Sequence, residues 1–428
     1  MNTFERLEAN VRSYCRSFPD VFVRAKGAQL FSQTGGAFVD FFAGAGALNY
    51  GHNNDYIKGR LIQYLEEDGI SHGLDMYTSA KEAFLQTFES LILAPRALDY
   101  KVQFCGPTGA NAVEAALKLA RKVKGRSGIF AFMGGFHGMS LGALSATSNL
   151  FHREAAGVAL HDVTFMPFPC GGPGADFDTI RYIDSILEDD HSGVSKPAAI
   201  IVETIQAEGG LNFAPVEWLK QLRALCDKHD ILLIVDDIQV GCGRVGPFFS
   251  FEPAEIVPDL VVLSKSISGF GLPMSLVLFR RELDAWRPGE HTGTFRGNQL
   301  AFVGAKAALE YREEVLLEAE TLRKGAWVER FLQEEIAPLS DRIAIRGAGL
   351  LWGVDVSAAG PHELSKGIAT RCYELGLVIE RVGRHDNVLK IMPPLTISDA
   401  ELETGCRILK QAVSESLEKL GALEPALV

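Results

Sequence analysis

Lys265 follows the apolar run Leu260-Val261-Val262-Leu263-Ser264, and Asp236 and Asp237 close a second run, Ile231-Leu232-Leu233-Ile234-Val235. Short apolar runs of this kind read as strands buried in a parallel sheet. An amine and a carboxylate at the carboxyl ends of two such strands stand at the crevice where open α/β sheets bind ligands. Each charge needs a partner there to compensate its lost hydration. A desolvated amine can bond to an aldehyde and afterwards carry a proton. A carboxylate can keep a ring nitrogen protonated, so that the ring accepts electrons. Pyridoxal phosphate makes both demands, and is the cofactor this pair predicts.

Three further segments extend the pattern. Cys105-Gly106-Pro107-Thr108-Gly109-Ala110-Asn111 follows a strand and opens a helix predicted to begin near Ala112. Small residues and free N–H groups at a helix start can cradle a phosphate; the plainer reading is a strand-to-helix turn capped by Thr108 or Asn111. No Gly-Lys-Ser/Thr follows, which excludes a Walker A loop. In Gly134-Gly135-Phe136-His137-Gly138, Phe136 is placed to cover a flat ring and His137 to orient neighbouring groups. A core phenylalanine and a satisfied histidine are the alternatives. Gln239 is placed to donate to the ring's phenolic oxygen. Taken singly, Asp236 could be a solvated strand-end acid like its neighbour Asp237, and Lys265 a surface charge. Together, these parts occur in a workable order on successive strand-helix units, with the lysine 29 residues after the aspartate.

The elements that must position these residues are visible as alternating patterns. Ala28–Phe31 and Ala37–Phe42, separated by Thr34-Gly35-Gly36, predict a hairpin. From about residue 51, apolar runs at 102–104, 129–132, 199–202, 231–235, 260–263 and 276–279 alternate with amphipathic stretches, the signature of a mostly parallel α/β sheet. Val113, Ala116, Leu117 and Ala120 have helical spacing. A long charged helix is predicted from Ala301 to about Glu335, followed by strands at 349–354 and 377–380. The one notable Gly/Pro-rich loop is Cys170-Gly171-Gly172-Pro173-Gly174.

The 428 residues suffice for two or three structural units, and 47% hydrophobic with 22% charged residues is a globular balance. A net charge of -12 without a basic block argues against nucleic acid and for small-molecule substrates. The seven cysteines are scattered without a C-x-x-C pair, which predicts reduced thiols and no metal site. No run approaches the roughly 18 apolar residues of a membrane span, and the polar start lacks a signal-peptide core. The expectation is a cytoplasmic protein with no membrane partner.

From about Val21 to Leu395 the chain resembles the class III aminotransferases of PLP fold type I. The resemblance rests on Thr108-Gly109-Ala110 with its helix to Arg121, Gly135-Phe136-His137-Gly138, Glu203-Thr204-Ile205-Gln206-Ala207-Glu208-Gly209-Gly210, Asp236-Asp237-Ile238-Gln239 and Leu263-Ser264-Lys265. It implies a mostly parallel sheet of the seven-stranded type flanked by helices, with a smaller α+β domain from both termini. The implied division is 1–50, 51–325 and 326–428. It implies that Lys265 and Asp236 are catalytic and that Thr108, Gly109, Ala110, Phe136, His137, Glu203 and Gln239 help hold the cofactor. It further implies a homodimer with shared active sites, in which Thr294 reaches the neighbouring subunit's cofactor phosphate.

Residues 11–19, 40–53 and 288–298 look more like the family members that make L-2,4-diaminobutyrate than those using ornithine or 4-aminobutyrate. That likeness implies amino transfer from glutamate to L-aspartate 4-semialdehyde, as a first step towards ectoine. The rival expectations are another ω-aminotransferase, an aminomutase needing no added 2-oxo acid, and a regulatory protein that only binds the cofactor. One departure bears on specificity. Many members carry an arginine before Pro-Pro-Leu that binds the substrate α-carboxylate and is gated by the glutamate matching Glu208. Here that segment reads Leu389-Lys390-Ile391-Met392-Pro393-Pro394-Leu395. A lysine offers a point charge rather than a bidentate fork. Lys390 as a substrate residue, Lys390 as a strand lysine paired with a surface acid, and Arg296 or another arginine as the clamp all stand open from sequence.

Overall fold

The computed structural model describes residues 3–170 and 177–423. Most of the Gly/Pro-rich loop at 170–174 therefore lies outside the described residues. The chain begins with a short helix Thr3–Leu7, then β1 (Phe22–Lys26), β2 (Gln29–Ser32) and β3 (Ala37–Asp40). The predicted hairpin is β2 and β3, and β1 adds an antiparallel neighbour to it.

The central sheet is built from β4 (Tyr100–Phe104), β5 (Ile129–Phe132), β6 (Val163–Met166) and β7 (Ala199–Val202). After the short antiparallel pair β8 (Ile205–Gln206) and β9 (Asn212–Phe213), it adds β10 (Leu232–Asp236), β11 (Leu260–Leu263) and β12 (Leu276–Arg280). Its seven strands run in the order β4-β12-β11-β10-β7-β5-β6. β12 is antiparallel to both of its neighbours, and the other pairings are parallel. The mostly parallel α/β sheet read from the apolar runs is the sheet observed. β5, β7 and β11 are buried at every position, because helices cover both faces and no solvent-facing alternation is needed.

Beyond the sheet come β13 (Ala344–Ala348), β14 (Leu351–Asp355), β15 (Leu377–Val378), β16 (Glu380–Val382) and β17 (Val388–Ile391). β13, β14, β17 and β16 form one sheet, while β15 joins β3 in parallel at the edge of the N-terminal one. A single apolar cluster draws together Ala28, Phe41 and Ile57 from the beginning of the chain with Trp352, Ile391, Leu402 and Val413 from its end.

Two expectations need correction. The segment 377–380 is not one strand: the chain leaves one sheet after Val378 and enters another at Glu380. The charged helix from Ala301 is likewise broken, into Gln299–Glu314 and Leu317–Phe331. Leu316 between them has φ +50° and no glycine's freedom to adopt it. Tertiary packing sets this break, since Leu317 and Val328 of the second helix are buried in the cluster that joins the chain's two ends. Among the described residues no helix is long and apolar enough to cross a membrane.

Candidate active site

Asp236 is the last residue of β10 and lies opposite Val262 of β11, so the turn after β11 brings Lys265 beside it. Lys265 opens a short 3-10 turn with φ +51°, a conformation that costs a non-glycine residue energy and that recurs at functional sites. Burial lowers the amine's pKa below that of an ordinary lysine, although the Glu208 carboxylate pulls it part of the way back. A lowered pKa is the property that an amine needs to act as a nucleophile and a base.

Asp236 Oδ2 lies 2.7 Å from His137 Nδ1, and Asp236 Oδ1 accepts the Ile238 N–H at 3.2 Å. Both side chains are buried. Burial by itself would drive the imidazole towards neutrality, but the Asp236 carboxylate, helped by Glu203, raises its pKa overall. His137 is thus the residue that orients and charge-balances Asp236. Its own N–H is held by Thr147 Oγ1 at 2.9 Å. Asp237 is not the solvated acid its position suggested: it is fully buried, Oδ2 accepts the Ser250 N–H, and burial pushes its pKa up to about 7.

Glu203 follows β7 and accepts the Phe136 N–H at 2.8 Å, which ties the 134–138 loop to the neighbouring strand end. Burial pushes its carboxyl up to about 8. The loop needs its glycines, because a Cβ at Gly134 would lie 2.5 Å from Gln206 Oε1, at a φ of +88°. Phe136 is half-buried.

The helix Gly109–Lys124 begins three residues before the position read from sequence. Thr108 is its N-cap, accepting the Asn111 N–H at 3.2 Å, and Asn111 Oδ1 in turn accepts the Gly106 N–H at 2.7 Å. Both proposed capping residues are therefore engaged. The first-turn N–H groups of a helix have no intrahelical partner and favour an anion. A Cβ at Gly109 would lie 2.9 Å from Ile238 Cδ1, so the helix start packs directly on the loop after Asp236.

The Gln239 amide nitrogen, expected to donate to the ring's phenolic oxygen, donates instead to the Ala45 carbonyl at 2.9 Å, while its buried Oε1 has no partner among the described residues. The carbonyl belongs to a run, Ala43 to Gly46, with φ between +48° and +87°. An amine of lowered pKa, a buried acid backed by an imidazole, a helix start and an orphaned amide oxygen form a set that fits pyridoxal phosphate. Lys265 would hold its aldehyde carbon, Asp236 its ring nitrogen and the turn at Thr108-Gly109-Ala110 its phosphate.

Lys390 is fully buried, with Nζ 2.7 Å from Glu208 Oε1 and 2.9 Å from Glu380 Oε2. The surface-acid reading of this lysine is overturned: both acids are within the site. Glu380 is its direct cross-strand partner on β16. Burial opposes the charge on Glu208, but Lys390 and then Lys265 hold its carboxyl down at about 2. The two carboxylates keep Lys390 charged against its own burial. Sequence reasoning missed Glu380 altogether; the signal available was that a buried strand lysine demands a fixed acid nearby.

Two residues stand apart. Thr294 is exposed on the loop before the Gln299–Glu314 helix and makes no hydrogen bond among the described residues. Arg296 donates to the His291 carbonyl and lies 3.7 Å from Asp75, away from Lys390, so within one chain it does not supply a clamp.

Residues 13–413 match the family described as aminotransferase class-III. The chain is 53% identical to a diaminobutyrate-2-oxoglutarate transaminase of Bordetella parapertussis, over 98% of this chain and 96% of that one. It is 54% identical to a protein of the same name from Streptomyces anulatus, over 97% and 98% of the two chains. Among solved structures, the ornithine aminotransferase of Toxoplasma gondii, with pyridoxal phosphate at its active site, superposes with a TM-score of 0.85 at 26% identity. That match covers 97% of this chain and 93% of the other.

Proposed function

We propose a specific reaction for this chain, which belongs to the class III aminotransferases and is a pyridoxal-phosphate-dependent enzyme of fold type I: transfer of the amino group of L-glutamate to L-aspartate 4-semialdehyde, giving L-2,4-diaminobutyrate and 2-oxoglutarate. The observation that carries this reading is the full-length identity of 53–54% with relatives named for that conversion. The charged triad around Lys390, set within the field of Lys265, supports it.

When bound, the cofactor supplies an aldehyde that takes up amino groups and a ring that accepts the electrons left at the reacting carbon. The chain's own residues do the rest. Lys265 Nζ, whose proton affinity burial lowers, would move the proton at the reacting carbon. Asp236 would hold positive charge at the ring nitrogen, and His137, 2.7 Å away, fixes the orientation of Asp236. The Gln239 amide and the Thr108 turn would orient the ring and phosphate. Phe136 would cover one face of the ring, and Glu203 holds its backbone in place. Glu208, the more exposed of Lys390's two partners, is the movable group that lets one pocket take two different substrates.

We also infer a homodimer, with Thr294 completing the partner's phosphate site. Leu74, Met76, Tyr77 and Phe295 are all exposed apolar side chains, Tyr77 completely so, and Phe295 packs against His72 at 5.5 Å. Apolar clusters of this kind mark protein-protein surfaces. Light scattering that returned a monomer at working concentrations would remove this part. A small domain of 1–50 with 326–428 is supported by the packing of Ala28, Val39, Phe41 and Tyr50 with residues between Val328 and Val413, and the large domain (51–325) meets that core through Ile57, Leu61, Ala307, Ala308 and Leu317. A cytoplasmic location and a role in supplying ectoine complete the reading; deletion of the gene should abolish ectoine accumulation and added diaminobutyrate should restore it.

The decisive assay incubates the purified enzyme with L-2,4-diaminobutyrate and 2-oxoglutarate and follows glutamate. Glutamate formation that needs both substrates is the expected result. Preference for ornithine or 4-aminobutyrate, or turnover without 2-oxoglutarate, would overturn the assignment.

A further inference from the structure

The triad at Lys390 carries more acid than the lysine needs. Its ammonium, fully buried, is 2.7 Å from one carboxylate and 2.9 Å from another. Two carboxylates around one ammonium leave one negative charge without an ion-pair partner of its own. A family arginine gated by a single glutamate would be bared when that glutamate moved. Lys390 would not, because Glu380 faces it across the β16–β17 ladder and is 10% exposed, against 29% for Glu208. Glu380 is thus the fixed acid and Glu208 the outer one.

Both carboxylates act on the charge of Lys265, so they lie within range of the reacting end of any substrate held there. Tyr14 and Asp236 are the other titratable groups sharing this field. Among the described residues no second cation forms an ion pair with the triad, and the Lys265 amine is the other positive group whose field reaches both acids. Burial, and after it the neighbouring Glu208, raise the proton affinity of Glu380, and Lys390 offsets only part of this.

We propose that Glu380 is a specificity-determining residue: with Glu208 it leaves an excess carboxylate charge beside Lys390, and that charge seats the distal ammonium of a diamino-acid substrate. In 2,4-diaminobutyrate this ammonium is two carbons from the carbon that reacts, a span that suits a seat within the field of Lys265. A terminal amine with no second ammonium, such as 4-aminobutyrate, gains nothing from it. Glutamate is affected little, because its carboxylate takes the place of Glu208 and meets Glu380 with the same charge. The inference rests on the reaction assigned above.

The test compares wild type, Glu380→Gln and Glu380→Asp as holoenzymes. Single-turnover kinetics with L-2,4-diaminobutyrate, 4-aminobutyrate and L-glutamate give kcat/KM for each donor. Calorimetric titration of the two amines into a Lys265→Ala background gives binding without turnover. Glu380→Gln should cut the preference for diaminobutyrate over 4-aminobutyrate by about tenfold, in binding as in kcat/KM, as loss of one partly desolvated charge contact implies. Glutamate should change far less, and Glu380→Asp should keep the preference. Equal losses for all three donors would show a structural role and overturn the proposal, as would an unchanged preference. If wild type itself failed to prefer diaminobutyrate, the assigned reaction and the seat would both fall; an intact wild-type preference that survives Glu380→Gln removes the seat alone.

Discussion

Replacing Lys390 with methionine removes the ammonium that pairs directly with both Glu208 and Glu380. The magnitude follows from the linkage between proton binding and folding. Glu208 is held at about 2 against an ordinary 4.5. At 1.36 kcal/mol per pKa unit, the Glu208 shift alone corresponds to about 3 kcal/mol, with Lys390 its largest source and the raised carboxyl of Glu380 acting in the opposite sense. Breaking a buried ion pair by removing one partner costs about 3–5 kcal/mol, which agrees. The sign is fixed by the direction of the shift. A carboxyl with a depressed pKa contributes above its unfolded value and loses that contribution as the pH falls through its folded one. Lys390→Met should therefore be about 3 kcal/mol less stable than wild type at pH 7, and the gap should close between pH 4.5 and pH 2. Urea unfolding of both proteins across this range, followed by circular dichroism, measures the gap. A difference below about 1 kcal/mol at pH 7, in the range of exposed pairs, or one independent of pH, would refute the buried triad.

Further outcomes follow from other parts of the structure. Asp236→Asn keeps the shape of the site but removes the anion that His137 contacts at 2.7 Å, and should lower kcat by about 10²-fold or more with cofactor still bound; stopped-flow half-reactions would read this. Thr108→Ala loses the N-cap of the Gly109–Lys124 helix and should cost about 1 kcal/mol of stability, along with some cofactor affinity, measured by urea titration and by cofactor release. Leu316→Gly relieves a left-handed residue whose side chain is exposed, and should leave stability unchanged or raise it by up to about 1 kcal/mol. A clear loss would mean that the helix break is set by that side chain.

The parallel core was legible because helices on both faces allow unbroken apolar strands. Ile129–Phe132, Ala199–Val202 and Leu260–Leu263 are observed with the same bounds as the runs read from sequence. Lys265 and Asp236 were legible for the related reason that a charge ending such a run must be compensated. The break at Leu316 was not, since neither glycine nor proline announces it and the neighbouring packing imposes it. Nor was the division at Ile379, because an apolar run does not say which sheet each of its halves will join. Glu380 stayed hidden for the same cause: its meeting with Lys390 depends on the register of β16 against β17, a relation between strands rather than within one.

The most direct measurement is to reduce the holoenzyme with borohydride, digest it and map the cofactor by mass spectrometry. The pyridoxyl group is expected on the peptide carrying Lys265, with no label once Lys265 is replaced by alanine. A label on any other lysine, or full labelling of the Lys265→Ala protein, would contradict the site described here.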